Sequence, residues 1–127
     1  MSYRLHHVHI ICKSLEKMIN FFTETLGATL IAMRRFGTAD GASLDLQGST
    51  INLRVAREDE DMLEELPGKP YGYDHIGIEV DNIDAKYEEL KNKGFVFSIP
   101  PTDIEKIRIA FFDGPENITI ELVEQRG

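Results

Sequence analysis

Residues 73–83 read Tyr73-Asp74-His75-Ile76-Gly77-Ile78-Glu79-Val80-Asp81-Asn82-Ile83. Ile76, Ile78 and Val80 alternate with His75, Gly77 and Glu79, the period-2 pattern of a half-buried strand. The strand is predicted over Tyr73–Val80, and Asp81-Asn82-Ile83-Asp84 opens a helix carrying Ile83, Tyr87 and Leu90 until Gly94 stops it. The same order occurs earlier in the chain. Leu5–Cys12 alternates around His7, Val8, His9 and Ile10. A helix follows from the N-cap Ser14, with Leu15, Met18, Ile19, Phe22 and Leu26 on one face and Gly27 as its stop. His7 and His75 stand 68 residues apart, Leu15 and Ile83 also 68, Gly27 and Gly94 67, and Asn52 and Glu121 69. A near-constant offset signals internal duplication, and two copies exclude a long solenoid.

Each copy continues as three strands. In the first copy they are predicted at Thr29–Met33, Ala42–Leu46 and Ile51–Val55, with Gly48-Ser49 as the two-residue turn. That turn pairs Asp45 with Asn52 and places Asp45, Asn52 and Arg54 on one face. In the second copy the strands are predicted at Phe95–Ile99, closed by Pro100-Pro101, then Ile107–Phe112 and Ile118–Val123. Between the copies, the acidic run Glu58-Asp59-Glu60-Asp61 and Met62–Leu66 read as a short, solvated helix running into Pro67-Gly68-Lys69-Pro70. The organisation expected is one domain over 1–127, with a first βαβββ module at 3–56, an acidic linker at 57–70 and a second module at 71–125. Each module, at about fifty-five residues, is small for an independent domain.

Composition narrows the function. Fourteen Lys and Arg against 22 Asp and Glu give a net charge of −8, which argues against nucleic acid or an anionic membrane as partner. No apolar run approaches the roughly 20 residues of a membrane span. Cys12 is the single cysteine, so no internal disulfide forms. With no apolar signal core at the N-terminus, the expected location is the cytoplasm.

The chemistry is expected where the copies match. His7 and His75 occupy the same place in the first strand of each copy. Glu121 lies on the last strand, pointing away from Ile118, Ile120 and Leu122 as His75 points away from Ile76 and Ile78. If each copy curls into a cup, two imidazoles and a carboxylate collect on the helix-free face and suit a divalent metal such as Fe, Mn, Ni or Zn.

Leu5–Ile10 with Ser14-Leu15-Glu16, Phe21-Phe22 and Leu26-Gly27 resembles the opening of a vicinal oxygen chelate superfamily module. Tyr73–Ile83 resembles the second-module opening, and Phe111-Phe112-Asp113-Gly114-Pro115-Glu116-Asn117 through Ile120–Glu124 its ending. This superfamily includes glyoxalase I, bleomycin resistance proteins and extradiol dioxygenases. The resemblance implies an α+β fold in which two βαβββ modules form a glyoxalase-like eight-stranded cup. It implies a divalent metal (Ni, Zn, Mn, Fe or Co) held by His7, His75 and Glu121. A fourth ligand position, Glu or Gln in glyoxalase I, aligns with Asn52, which either ligates weakly through its carbonyl oxygen or holds a metal-bound water.

The function expected is a metal-dependent lyase, isomerase or epimerase that moves a proton alpha to a carbonyl of a chelated small molecule. The alternatives are an Fe(II) dioxygenase with a two-His, one-carboxylate site, a fosfomycin-resistance type thiol transferase, and a metal-free binding or resistance protein. Glu121 is the expected base, Asp45 a further base or partner to a ligand, and His9 a proton relay. Arg54 and Arg108 are the expected contacts to an anionic substrate group, with Arg34 and Arg35 as further candidates. Phe36, Phe97 and Phe111 either line the cup or pack. On family grounds a homodimer is expected.

Overall fold

A computed structural model describes residues 2–127. The chain divides between Lys69 and Pro70 into two compact units. In the first, β1 (His7–Cys12) leads into α1 (Leu15–Asn20), then β2 (Thr29–Phe36), β3 (Ala39–Leu46) and β4 (Ser49–Val55). In the second, β5 (Ile76–Glu79) leads into α2 (Ile83–Asn92), then β6 (Phe97–Ile104), β7 (Ile107–Asp113) and β8 (Thr119–Gln125). Each unit is a four-stranded mixed sheet, with strand orders β1-β4-β3-β2 and β5-β8-β7-β6. The first strand is parallel to the last and the other pairs are antiparallel. The two α+β units therefore share one topology, as the repeat predicts.

One face of each sheet is dry. In the first unit α1 packs on β3 and β4. Met18 and Phe22 are buried with Cys12, Leu44, Ile51 and Leu53. In the second, α2 packs on β6, β7 and β8, and Ile83 and Leu90 are buried with Ala110, Phe112, Ile120 and Leu122. Strand alternation sends the intervening residues to the opposite, helix-free face.

Both helix starts are capped by side chains. Ser14 Oγ accepts from Lys17 N at 3.2 Å and Asn82 Oδ1 accepts from Ala85 N at 3.1 Å. Glu124 on β8 accepts from Ile83 N at 2.9 Å, tying α2 to the sheet and holding its own carboxyl below the usual range. Gly27 and Gly94 follow the helical segments with φ of 78° and 98°, the left-handed region that glycine adopts most cheaply.

Four expectations are corrected. The first helix is not α-helical to Leu26: it widens into a π turn over Phe21–Thr25. Leu26 N donates to Phe21 O, while the Thr23 hydroxyl takes the Ile19 carbonyl at 2.9 Å. The wider turn buries Phe21 and Phe22 together. The hairpin turn is Gln47-Gly48, not Gly48-Ser49, because Leu46 pairs with Ser49. Both turn residues have positive φ, 48° and 97°, as a two-residue type I′ hairpin requires. Asp45 Oδ1 accepts from Gly48 N at 3.2 Å. Asp45 therefore pairs with Thr50, and Asn52 pairs with Ser43. A shift of two keeps Asp45, Asn52 and Arg54 on one face but changes the neighbours.

Pro100-Pro101 does not close β6, which runs on to Ile104 with register shifts between Phe97 and Thr102. As the outer strand of its sheet, β6 loses little by lacking those N–H donors. Finally, residues 57–66 form no helix. Met62, Leu63 and Leu66 are exposed, so no buried apolar face offsets the cost of helix nucleation. Glu60 folds back instead: its N donates to Arg57 O and its carboxylate accepts from Arg57 N at 2.7 Å. Further on, Glu64 pairs with Lys13.

Candidate functional site

In the second unit, His75 directly precedes β5, and Gly77 is the register partner of Glu121 on β8. His75 and Glu121 are therefore diagonal neighbours on the helix-free face. Gly77 leaves the space between them open: a Cβ there would lie 3.6 Å from Glu121 Oε1. His75 Nε2 stands 3.1 Å from Glu121 Oε1, and its Nδ1 stands 2.8 Å from Asp74 Oδ2. An ionised carboxylate only accepts, so in the imidazolium Nδ1 donates to Asp74 and Nε2 to Glu121. The hydrogen bond donated to Asp74, with the charge of Glu121 adding to it, raises the imidazole above its ordinary 6.5, against the opposing effect of burial. Phe111, paired with Glu121, meets the His75 ring edge-on at 5.0 Å.

This half-site suits a divalent cation. Two donors about 2.1 Å from one metal stand about 3.0–3.4 Å apart for angles between octahedral and tetrahedral, and the Nε2–Oε1 separation is 3.1 Å. A carboxylate behind the far nitrogen of a ligating histidine is the usual orienting partner, and Asp74 fills that place. Sequence reading passed over Asp74, although its position next to a candidate ligand was a usable signal. Among the described residues, no three His, Cys, Asp or Glu side chains converge on one point.

The first unit uses its equivalent positions differently. Asn52 occupies the place of Glu121, but its register partner on β1 is His9, where the second unit has Gly77. His9 packs edge-on against Phe36 at 4.5 Å. Burial, then the positive charge of Arg54, lower its pKa and favour the neutral imidazole. His7 pairs in register with Thr50, and its Nδ1 lies 2.9 Å from His6 Nδ1. Asn52 is nearly buried, and its Oδ1 accepts from Ser43 Oγ at 2.6 Å. Ser43 Oγ in turn accepts from Arg34 Nε at 2.7 Å. Ser43 and Arg34 border a cavity of about 500 Å³ that Asn52 and Phe36 also line.

The expected substrate arginines are both engaged. Arg54 makes a bidentate pair with Glu60, at 2.6 and 2.8 Å. Arg108 stands on the α2 side of its sheet, held by Asp84 and Asp103, because it lies three positions, an odd offset, from Phe111 on β7. Glu60, read from sequence as one charge in a solvated run, is the partner of a nearly buried guanidinium. That signal was not legible, because nothing local marks which of four consecutive acids turns inward.

The hydrogen bond from Arg54, then that from Arg57 N, lowers the Glu60 carboxyl from 4.5 to about 2. The stabilisation this implies is complete above about pH 4.5 and is lost as pH falls through about 2. Following the Glu60 side-chain carboxyl by NMR during acid titration is expected to give a midpoint near 2, raised in the Arg54→Gln variant toward 4.5 but held below it by the remaining Arg57 N hydrogen bond. An ordinary midpoint in the unsubstituted protein removes the clamp.

The glyoxalase/bleomycin resistance protein/dioxygenase superfamily model matches residues 4–122. The chain belongs to this superfamily. A lactoylglutathione lyase from Schizosaccharomyces pombe is 31% identical over 146 residues, covering 98% of this chain and 48% of that protein. The chain thus spans about half the length of that relative. A probable lactoylglutathione lyase from Vibrio cholerae is 27% identical, covering 98% of this chain and 93% of that one. A glyoxalase family structure from Bacillus cereus superposes with a TM-score of 0.82 at 22% identity, covering 98% and 95% of the two chains. The fosfomycin resistance protein FosX from Mesorhizobium loti gives 0.71 at 20% identity, covering 100% and 94%. At these identities the structures show a shared fold. No helix is long and apolar enough to cross a membrane.

Proposed function

We propose that this superfamily member is a metal-dependent lyase or isomerase of the glyoxalase type, moving a proton at the carbon next to a carbonyl of a small molecule. The observation that carries this reading is the His75–Glu121 pair at 3.1 Å with Asp74 behind the imidazole. The likeness to two proteins named as lactoylglutathione lyases supports the reaction class. His75 and Glu121 would hold the cation. When bound, a divalent cation provides Lewis-acid polarisation of the substrate's adjacent oxygens.

The remaining roles fall to the chain itself. Asp74 fixes the imidazole so that Nε2 is the atom presented. Glu121 accepts the proton from the alpha carbon and returns it to the neighbouring carbon, so one base serves both halves of the transfer and no redox change results.

Metal analysis after reconstitution with Ni, Zn, Mn, Fe or Co tests the reading. The unsubstituted protein is expected to retain about one equivalent after desalting. The His75→Ala variant is expected to bind at least about tenfold more weakly. No retained metal in the parent protein sinks the proposal. Oxygen consumption with catechols by a metal-loaded sample replaces it with dioxygenase chemistry.

A further inference from the structure

The four strand arginines are not equivalent. Arg35 faces Asp40, Arg54 faces Glu60, and Arg108 faces Asp84 and Asp103. Arg34 on β2 makes no ion pair among the described residues. Its one hydrogen bond runs from Nε to Ser43 Oγ, which leaves the two terminal nitrogens of the guanidinium uncommitted. Ser43 is nearly buried and is itself fixed by Asn52 Oδ1. The base of the fork is therefore anchored in the sheet while its end borders the 500 Å³ cavity. Asn52 adds a second donor. Its Nδ2 has no partner among the described residues, yet no unsatisfied side-chain nitrogen is sealed from solvent, so that amide also opens toward the cavity it lines.

We infer that Arg34, positioned through Ser43 and Asn52, receives a carboxylate of the substrate. A planar guanidinium with one edge anchored and the other open suits a planar carboxylate, which takes two parallel hydrogen bonds. The charges in the cavity set the valence. Arg34 is opposed there by Asp45, whose carboxylate is held at the hairpin turn by Gly48 N, and His6 is the other titratable side chain on the lining. One guanidinium set against one carboxylate compensates a single negative charge poorly and a dianion worse, so the group taken is a carboxylate and not a phosphate. As a statement of substrate class the inference rests on the proposed lyase or isomerase; the anion contact itself does not.

The test has a binding arm and a kinetic arm. Metal-stripped protein is titrated with propionate, with its neutral counterpart propionamide and with inorganic phosphate, following the Arg34 Nε–H resonance. Propionate is expected to shift that resonance and the other two to leave it unmoved. Arg34→Gln is expected to weaken propionate binding by about tenfold or more, as loss of a charge-assisted hydrogen bond implies. Arg34→Lys, which keeps the charge and loses the fork, is expected to recover only part of it. Arg35→Gln, a surface control, is expected to bind as the parent does.

In the kinetic arm, hemithioacetals of one 2-oxoaldehyde are made with 3-mercaptopropionate and with 2-mercaptoethanol. Arg34→Gln is expected to raise KM for the carboxylate-bearing adduct alone, with kcat unchanged for both. Equal binding of propionate and propionamide, or undiminished binding by Arg34→Gln, overturns the inference even if the protein loads metal. A chain that binds no metal but still takes propionate through Arg34 overturns the lyase reading and leaves the anion site standing.

Discussion

Glu121→Gln is expected to slow proton exchange at the substrate's alpha carbon by about 10²–10⁴-fold, the usual contribution of a positioned general base. The substitution preserves volume and one acceptor oxygen, so the neighbours Gly77 and Phe111 keep their places. What it removes is the group that takes up the proton. It also withdraws one of the charges that favour the protonated imidazole of His75. Deuterium incorporation from heavy water, measured with metal content on the same samples, separates the two consequences. Loss of exchange with metal retained assigns Glu121 the role of base, whereas exchange at the parent rate rejects it.

The largest stability effect from a small change is expected at Gly41. A Cβ there would lie 2.2 Å from the Leu53 carbonyl oxygen and 2.6 Å from the Phe36 ring. The carbonyl belongs to β4, a central strand paired on both sides, and cannot retreat without breaking its ladder. Gly41→Ala is expected to cost about 3 kcal/mol, the upper end of ordinary overpacking penalties. A urea midpoint shifted down with an unchanged slope checks this. A change below about 0.5 kcal/mol, the size of a neutral surface substitution, contradicts it. Phe36 also packs on His9, so NMR signals of the His9 ring are expected to move in this variant while those of His75 stay.

The parts of the fold that were legible share one property: local chemistry and burial agree there. Ile76 and Ile78 alternate with exposed partners, Asn82 caps the helix it precedes, and Gly94 ends it with positive φ. Departures arise where a non-local contact outweighs local preference. The Gln47-Gly48 turn displaced Gly48-Ser49 because both central residues adopt positive φ and Asp45 braces the amide between them. Glu60 left the expected helix because Arg54, six residues back, offers a bidentate pair. The prolines of β6 are tolerated because that strand lies at an edge, and strand order is a property of the sheet.

The sequence by itself determined the duplication, the βαβββ order and the shared face of His75 and Glu121. Each follows from spacing along the chain, since a period of two fixes which side chains share a face. The tertiary structure alone decided who those side chains meet. It tied Asn52 to Ser43, and engaged Arg54 and Arg108 with carboxylates while leaving Arg34 open. Ion pairing depends on distances of a few ångströms between residues remote in sequence, and linear spacing does not carry that information.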